Sequence, residues 1–146
     1  MYGTKGNASA NCYFFTLTTH LHKPIFESSE NVTFLRQAFH HTMSKEPFVL
    51  AAISVLPDHL HCIWELSATE LKQPSGRWQM ITKLFQQQCQ DDSPLWQEPY
   101  LTHLIQDQAD YNNHLEYIQL NPIKLGYVDT AKSWPYSRFD QRCFAS

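Results

Sequence analysis

The apolar positions of this chain change period from one segment to the next, and the changes mark out its elements. Residues 12–19, CYFFTLTT, are an aromatic and β-branched run that predicts a strand near the middle of a sheet. The polar segment HLHKPIF follows as a turn containing Pro24. Across residues 29–43, Val32, Leu35, Phe39 and Met43 recur at helical spacing behind a capping residue, which predicts a helix with one core-facing stripe. Residues 47–55 (PFVLAAISV) and 60–66 (LHCIWEL) predict two further strands. Between them stands LPDH, where Pro57 lacks an N–H and restricts its neighbour, so a bulge or tight turn is expected.

Residues 67–76 are polar, include Pro74 and Gly76, and predict a loop. Trp78, Ile81, Leu84 and Phe85 then share one face of a second helix over residues 77–89. The aromatic-rich stretch LWQEPYLTHLI fits either a short strand or irregular backbone. Residues 107–120 predict a last helix that opens on acidic residues and ends before the Asn121-Pro122 pair. Trp134, Tyr136 and Phe139 are expected to tie the C-terminal tail to the core. Strand, helix, strand, strand, helix, short strand and final helix describe an α+β fold. The expected form is a ferredoxin-like plait, an antiparallel β-sheet with helices packed on one face and a helix near the C-terminus.

Length and composition sharpen this picture. With 146 residues, 42% apolar and 17% charged, residues 1–146 are expected to form one domain. No apolar run approaches the ~18 to 20 residues that cross a bilayer, and the N-terminus lacks the order of a secretory signal. Cys12, Cys62, Cys89 and Cys143 form no CxxC pair, so free thiols in a reducing cytoplasm are expected rather than a zinc knuckle or disulfide framework. Net charge is -3, and no Lys or Arg lies between Lys83 and Lys124, where Asp91, Asp92, Glu98, Asp107, Asp110 and Glu116 fall. That segment reads as a solvated acidic surface or as carboxylates beside a divalent cation.

Two spacings carry candidate chemistry. His59 and His61 alternate on an extended segment, so both imidazoles leave the same face, where two neutral rings can share a divalent ion. The spacing alone is weak: His20 and His22 repeat it, and satisfied surface or core histidines produce it too. Tyr117 and Asn121 lie four apart at the end of the last helix, a spacing that places them one above the other on a shared face. The Asn121 amide oxygen suits Mg²⁺ or Mn²⁺ as a third ligand, and a nearby cation favours the phenolate of Tyr117 as a nucleophile. Packing against Leu115, Ile118 and Leu120 is the plainer role for the same tyrosine. His114, three residues before Tyr117, is a candidate acid or base.

Four segments together, VLPDHLHCIWEL (55–66), RWQMITKLF (77–85), LWQ…THLIQDQADYNNHLEYIQLNPIKLGYV (95–128) and SWPYSRF (133–139), resemble the IS200-type HUH single-domain tyrosine transposases. The nearest branch is the REP-associated tyrosine transposases. The pairing of PDHxHC with YIxxNPxKxGYV is specific where HxH alone is not. The resemblance implies cleavage and rejoining of single-stranded DNA beside a hairpin, through a covalent 5'-phosphotyrosine and a free 3'-hydroxyl. It implies Tyr117 as nucleophile and His59, His61 and Asn121 as ligands of Mg²⁺ or Mn²⁺. Related enzymes are monomers or homodimers, and composition does not choose between them. The chain departs from the family in reading EPYL where basic residues are common and Leu120 where a second tyrosine is common.

Arg36, Arg77, Lys83, Lys124 and Arg138 are the candidate phosphate contacts, and Phe14, Trp64, Trp78, Trp96 and Tyr100 the candidate base-stacking residues. Two other functions fit the same residues: a non-catalytic protein that binds hairpin DNA, and a metal phosphohydrolase of small substrates. The first forms no covalent adduct, and the second still turns over without Tyr117.

Overall fold

The computed structural model describes residues 10–67, 74–124 and 137–139. Its elements run β1 (Ala10–Thr18), α1 (Ser29–Lys45), β2 (Val49–Leu56), β3 (His59–Ser67), α2 (Pro74–Cys89), β4 (Leu101–Leu104), α3 (Gln108–Lys124) and β5 (Ser137–Phe139). The strands form one sheet in the order β4-β1-β3-β2-β5, with every neighbouring pair antiparallel. The first four strands follow the order of the expected ferredoxin-like plait, and β5 adds an edge beside β2.

Local chemistry explains the boundaries. Ser28 caps α1 by accepting the Asn31 amide at 3.2 Å, and Val32, Leu35, Ala38, Phe39 and Thr42 form its buried stripe. Pro57 and Asp58 make a two-residue turn that pairs Leu56 with His59. The register shifts between Leu50 and Ala52, and both Ala51 and Ala52 are fully buried on the same side of the sheet.

Two element ends depart furthest from the sequence expectation. α2 begins at Pro74 rather than residue 77, since a proline in the first turn gives up an N–H that has no helical partner there anyway. α3 continues through Asn121 and Pro122 to Lys124. Proline's fixed φ is helical, and its cost in that last turn is one backbone donor. Asn121 therefore stands within the helix that carries Tyr117. The stretch LWQEPYLTHLI is a strand only at Leu101–Leu104. Trp134 and Tyr136 lie outside the described residues, as does the side chain of Phe139.

The expected helix layer covers one face of the sheet. α1 and α2 pack there over Phe15, Leu17, Leu60, Cys62, Trp64 and Leu66. Trp64 stacks between Phe48 (ring centroids 4.1 Å apart) and Trp78 (4.5 Å). α3 lies across the opposite face, where Tyr111, Leu115 and Ile118 bury against Cys12, Phe14, Ala51, Ala52 and Ile63. The small residues of β2 on that face let the helix approach closely. No helix among the described residues is long and apolar enough to cross a membrane.

Arg77 is corrected from a phosphate contact to a structural residue. It is 2% exposed; its Nε donates to the Glu46 carbonyl at 3.0 Å and its Nη2 to the Pro47 carbonyl at 3.2 Å, fastening α2 to the α1–β2 connection. Phe14, Trp64 and Trp78 are likewise core residues, too buried to stack on a base. Trp96 and Tyr100 are partly exposed.

Candidate active site

Beneath α3 the sheet register sets side chains out in rows. His103 of β4, Phe14 of β1 and Ile63 of β3 are paired across one row; Leu101, Thr16, His61 and Ser54 follow in the next, and Thr18, His59 and Leu56 beyond that. Successive rows are two residues, about 6.8 Å, apart along the strands, while three or four helical residues rise by about 5 to 6 Å. That near match is why the helix can present one side chain to each row. His114 meets His103 and Phe14, Tyr117 meets His61, and Asn121 meets His59.

The structure thus brings together four residues named from the sequence. The rings of His59 and His61 are 4.9 Å apart between centroids, and Tyr117 stands edge-on to His61 at 5.0 Å. His59 Nε2 lies 3.2 Å from Asn121 Oδ1. Tyr117 is 43% exposed, so its phenol is open to a large substrate while its ring rests on the site.

Each histidine is held by its other ring nitrogen. His61 Nδ1 lies 2.8 Å from Thr16 Oγ1, directly across the β1–β3 ladder, and His59 Nδ1 lies 2.7 Å from Asp58 Oδ1. Both Nε2 atoms are left facing the site. His61 Nε2 is buried and has no hydrogen-bond partner, an arrangement that costs free energy unless something else engages it. Burial pushes the His61 pKa down to about 3, with neighbouring His59 adding to the fall and Asn121 opposing it. The ring is therefore neutral at ordinary pH, the state in which imidazole binds a metal. An orphaned buried nitrogen, a second imidazole nitrogen and an amide oxygen turned toward one another make a donor set that fits a divalent ion.

Asp58, Thr16 and Phe14 belong to this site and were not singled out for these roles by the sequence. Asp58 precedes His59 directly, so a carboxylate beside the HxH pair was a readable signal; Thr16 and Phe14 reach it only through strand pairing. Asp58 also contacts His22, whose Nδ1 lies 3.2 Å from Oδ2. Burial would raise the Asp58 pKa, but His59 and then His22 pull it below the usual carboxylate value. His22 arrives there through a tight turn in which Leu21 and His22 adopt φ of 56° and 55°, conformations that cost a non-glycine residue about 1 to 2 kcal/mol each. The amide of Thr19 donates to the Asp58 carbonyl at 2.9 Å and pins that turn to the β2–β3 turn.

His114 joins a different group. Its Nδ1 lies 3.0 Å from Asp110 Oδ1 and 2.9 Å from the Asp110 main-chain oxygen, and its ring stacks on His103. Phe14 contacts both His114 and His61. His103, Asp110 and His114 offer ligand atoms that all lie within 4.8 Å of one another, a His/Asp cluster capable of coordinating a divalent metal. Among the candidate phosphate contacts, Arg36 and Lys83 are exposed on α1 and α2, the layer opposite Tyr117. The side chains of Lys124 and Arg138 lie outside the described residues.

Comparison with known proteins gives the chain a family. The chain is 32% identical over 139 residues to a Haemophilus influenzae protein assigned to the REP-associated tyrosine transposases, covering 87% of this chain and 78% of that one. The chain belongs to the REP-associated tyrosine transposase family. It is also 38% identical over 105 residues to the REP-associated tyrosine transposase of Escherichia coli, covering 72% of this chain and 62% of the relative. Among solved structures, a REP-associated tyrosine transposase bound to a REP hairpin superposes with a TM-score of 0.79 at 32% identity, over 88% of this chain and 76% of that one. A Deinococcus radiodurans structure, 15% identical with a TM-score of 0.54 over 80% of this chain and 96% of that one, shares the fold alone. No family model matches the chain.

Proposed function

We propose that this family member cleaves and rejoins single-stranded DNA beside a hairpin, in the cytoplasm, with Tyr117 as nucleophile and His59, His61 and Asn121 as ligands of Mg²⁺ or Mn²⁺. The observation that carries the reading is the convergence of a half-exposed tyrosine with an unpartnered, neutral imidazole nitrogen and the His59–Asn121 pair. Relatives that are named tyrosine transposases, one of them solved on a REP hairpin, support it. Free thiols at Cys12, Cys62 and Cys89 fit a reducing compartment.

In this reading the Tyr117 oxygen attacks the phosphorus of one phosphodiester. A P–O bond forms to Tyr117, the bond to the 3'-oxygen breaks, and a 5'-phosphotyrosine and a free 3'-hydroxyl result. Attack by another 3'-hydroxyl reverses the exchange, so strand joining needs no nucleotide cofactor. A divalent ion in the site supplies charge withdrawal from the scissile phosphate and favours the phenolate. Thr16 and Asp58 engage Nδ1 of the two imidazoles, which suits the tautomers that direct an unprotonated Nε2 at the site. α3 keeps Tyr117 and Asn121 one turn apart, so nucleophile and ligand move as one body. The mixed nitrogen and oxygen donor set suits Mn²⁺ somewhat better than Mg²⁺.

The test incubates purified protein with end-labelled single-stranded oligonucleotides that carry hairpins from its own genome, with Mg²⁺, Mn²⁺ or chelator, followed by denaturing electrophoresis. A metal-dependent, denaturation-resistant adduct that vanishes in Tyr117→Phe is expected. Hairpin binding without an adduct in either metal would instead make the chain a non-catalytic DNA-binding protein.

A further inference from the structure

The proposed reaction leaves the His103–Asp110–His114 cluster unused. His103 stands on the edge strand β4, while Asp110 and His114 lie one turn apart near the start of α3. One Asp110 oxygen is 2.8 Å from His103 Nε2 and the other 3.0 Å from His114 Nδ1. The two imidazole rings stack with centroids 4.6 Å apart and planes 21° from parallel. Three donor atoms of suitable type thus converge from two separate elements, although nine other residues of sequence lie among them.

We propose that His103, Asp110 and His114 form a second divalent-metal site, of a class that takes Zn²⁺ or Co²⁺, which fastens the helix carrying Tyr117 to β4. Two imidazole nitrogens and one carboxylate are a borderline-soft donor set that favours these ions over Mg²⁺. All three residues are partly exposed, which leaves room for water to complete the coordination. The carboxylate is also fixed from outside the cluster, because the Gln106 amide donates to Asp110 Oδ2 at 2.8 Å.

The site is distinct from the one beneath Tyr117. His103 pairs with Phe14 and His61 with Thr16, so the histidines belong to successive rows of the sheet. The Phe14 ring stands 4.6 Å from His114 and 5.7 Å from His61, an apolar spacer shared by both clusters. Its ligands tie α3 to the sheet at the end away from Asn121. In the absence of metal the same three side chains satisfy one another by hydrogen bonds, so the ion competes with that network, and its affinity measures the difference.

The experiment titrates untagged, chelator-stripped full-length protein with Co²⁺, following visible absorption and bound metal per chain, and records Tm with Zn²⁺ or Mg²⁺. A His59→Ala/His61→Ala background removes the other site, so the result does not depend on the strand-cleavage reading. About one Co²⁺ per chain, a visible spectrum of a four-coordinate ion, and a Tm rise of several degrees with Zn²⁺ but not Mg²⁺ are expected in that background. Adding His103→Ala or Asp110→Asn should remove all three signals. The proposal is overturned if the double variant binds neither ion, or if binding survives both substitutions. Should the double variant fail to fold, His103→Gln in the otherwise unaltered chain must lower bound Co²⁺ by about one per chain; unchanged stoichiometry overturns the proposal equally.

Discussion

Beneath α1 and α2 the sheet presents Phe15, Leu17, Leu60, Cys62, Trp64 and Leu66; beneath α3 the same strands present Phe14, Thr16, His59 and His61. The first face is closed by ring-on-ring packing, in which Trp64 contacts Trp78, Phe39 and Phe48, and Phe39 also contacts Trp78. The second is apolar only around Tyr111, Leu115 and Ile118, and toward Asn121 it gives way to polar groups. Stability and chemistry are divided between two sides of one sheet. The aromatic layer holds the strands in register, and the register then aims two imidazole nitrogens at a helix whose tyrosine remains half in solvent.

The largest expected effect breaks the second side without touching the first. Tyr117→Phe should abolish adduct formation, a loss of 10³-fold or more on the order of what removing a nucleophile costs, while shifting chemical-denaturation stability by less than about 0.5 kcal/mol. Trp64→Ala is its converse. Emptying that fully buried position should cost about 3 to 5 kcal/mol, read from the denaturant midpoint. Equal stability losses for the two substitutions would sink the division of labour.

Asp58→Asn probes the contact behind His59. The amide no longer holds the imidazole with a carboxylate's charge, so Mn²⁺ affinity measured by calorimetry should fall about 10- to 100-fold with the fold intact. An unchanged affinity would mean that His59 needs no such support.

The smallest effect is a pH slope. His61 titrates near 3 in the folded chain against 6.5 in a model peptide. Between those values the unfolded chain binds the extra proton, so the stability of chelator-treated protein is highest above pH 6.5 and falls as pH drops toward 3. The contribution is at most about 1.4 kcal/mol per pH unit. Asp58 and Asp110, both held below the usual carboxylate range, add losses of the same sign at low pH. The measurement therefore compares the chain with His61→Asn, whose slope between pH 6.5 and 5 should be flatter; identical slopes would contradict the burial of a neutral His61.

Periodicity and residue type determined most of the elements on their own. β1, α1, β2, β3, α2 and α3 follow from apolar spacing and turn residues, because such local patterns have few ways to bury their apolar side. Alternation also placed His59 and His61 on one face, and helical spacing placed Tyr117 beside Asn121, since both are properties of a single element. Composition left open which arginine was structural: Arg77 reads as a surface cation until the Glu46 and Pro47 carbonyls are seen beside it.

What only the tertiary structure decided is everything that depends on pairing between distant segments. Thr16 meets His61 across 45 residues and Asn121 meets His59 across 62, and both contacts depend on strand register and on the face α3 chose. The same holds for the His103–Asp110–His114 cluster, whose members fall together because β4 lies beside Phe14. A slip of one residue in β3 would carry both HxH imidazoles into the aromatic layer and leave every local pattern unchanged. Local spacing thus set which side chains travel together, and long-range packing set what they meet.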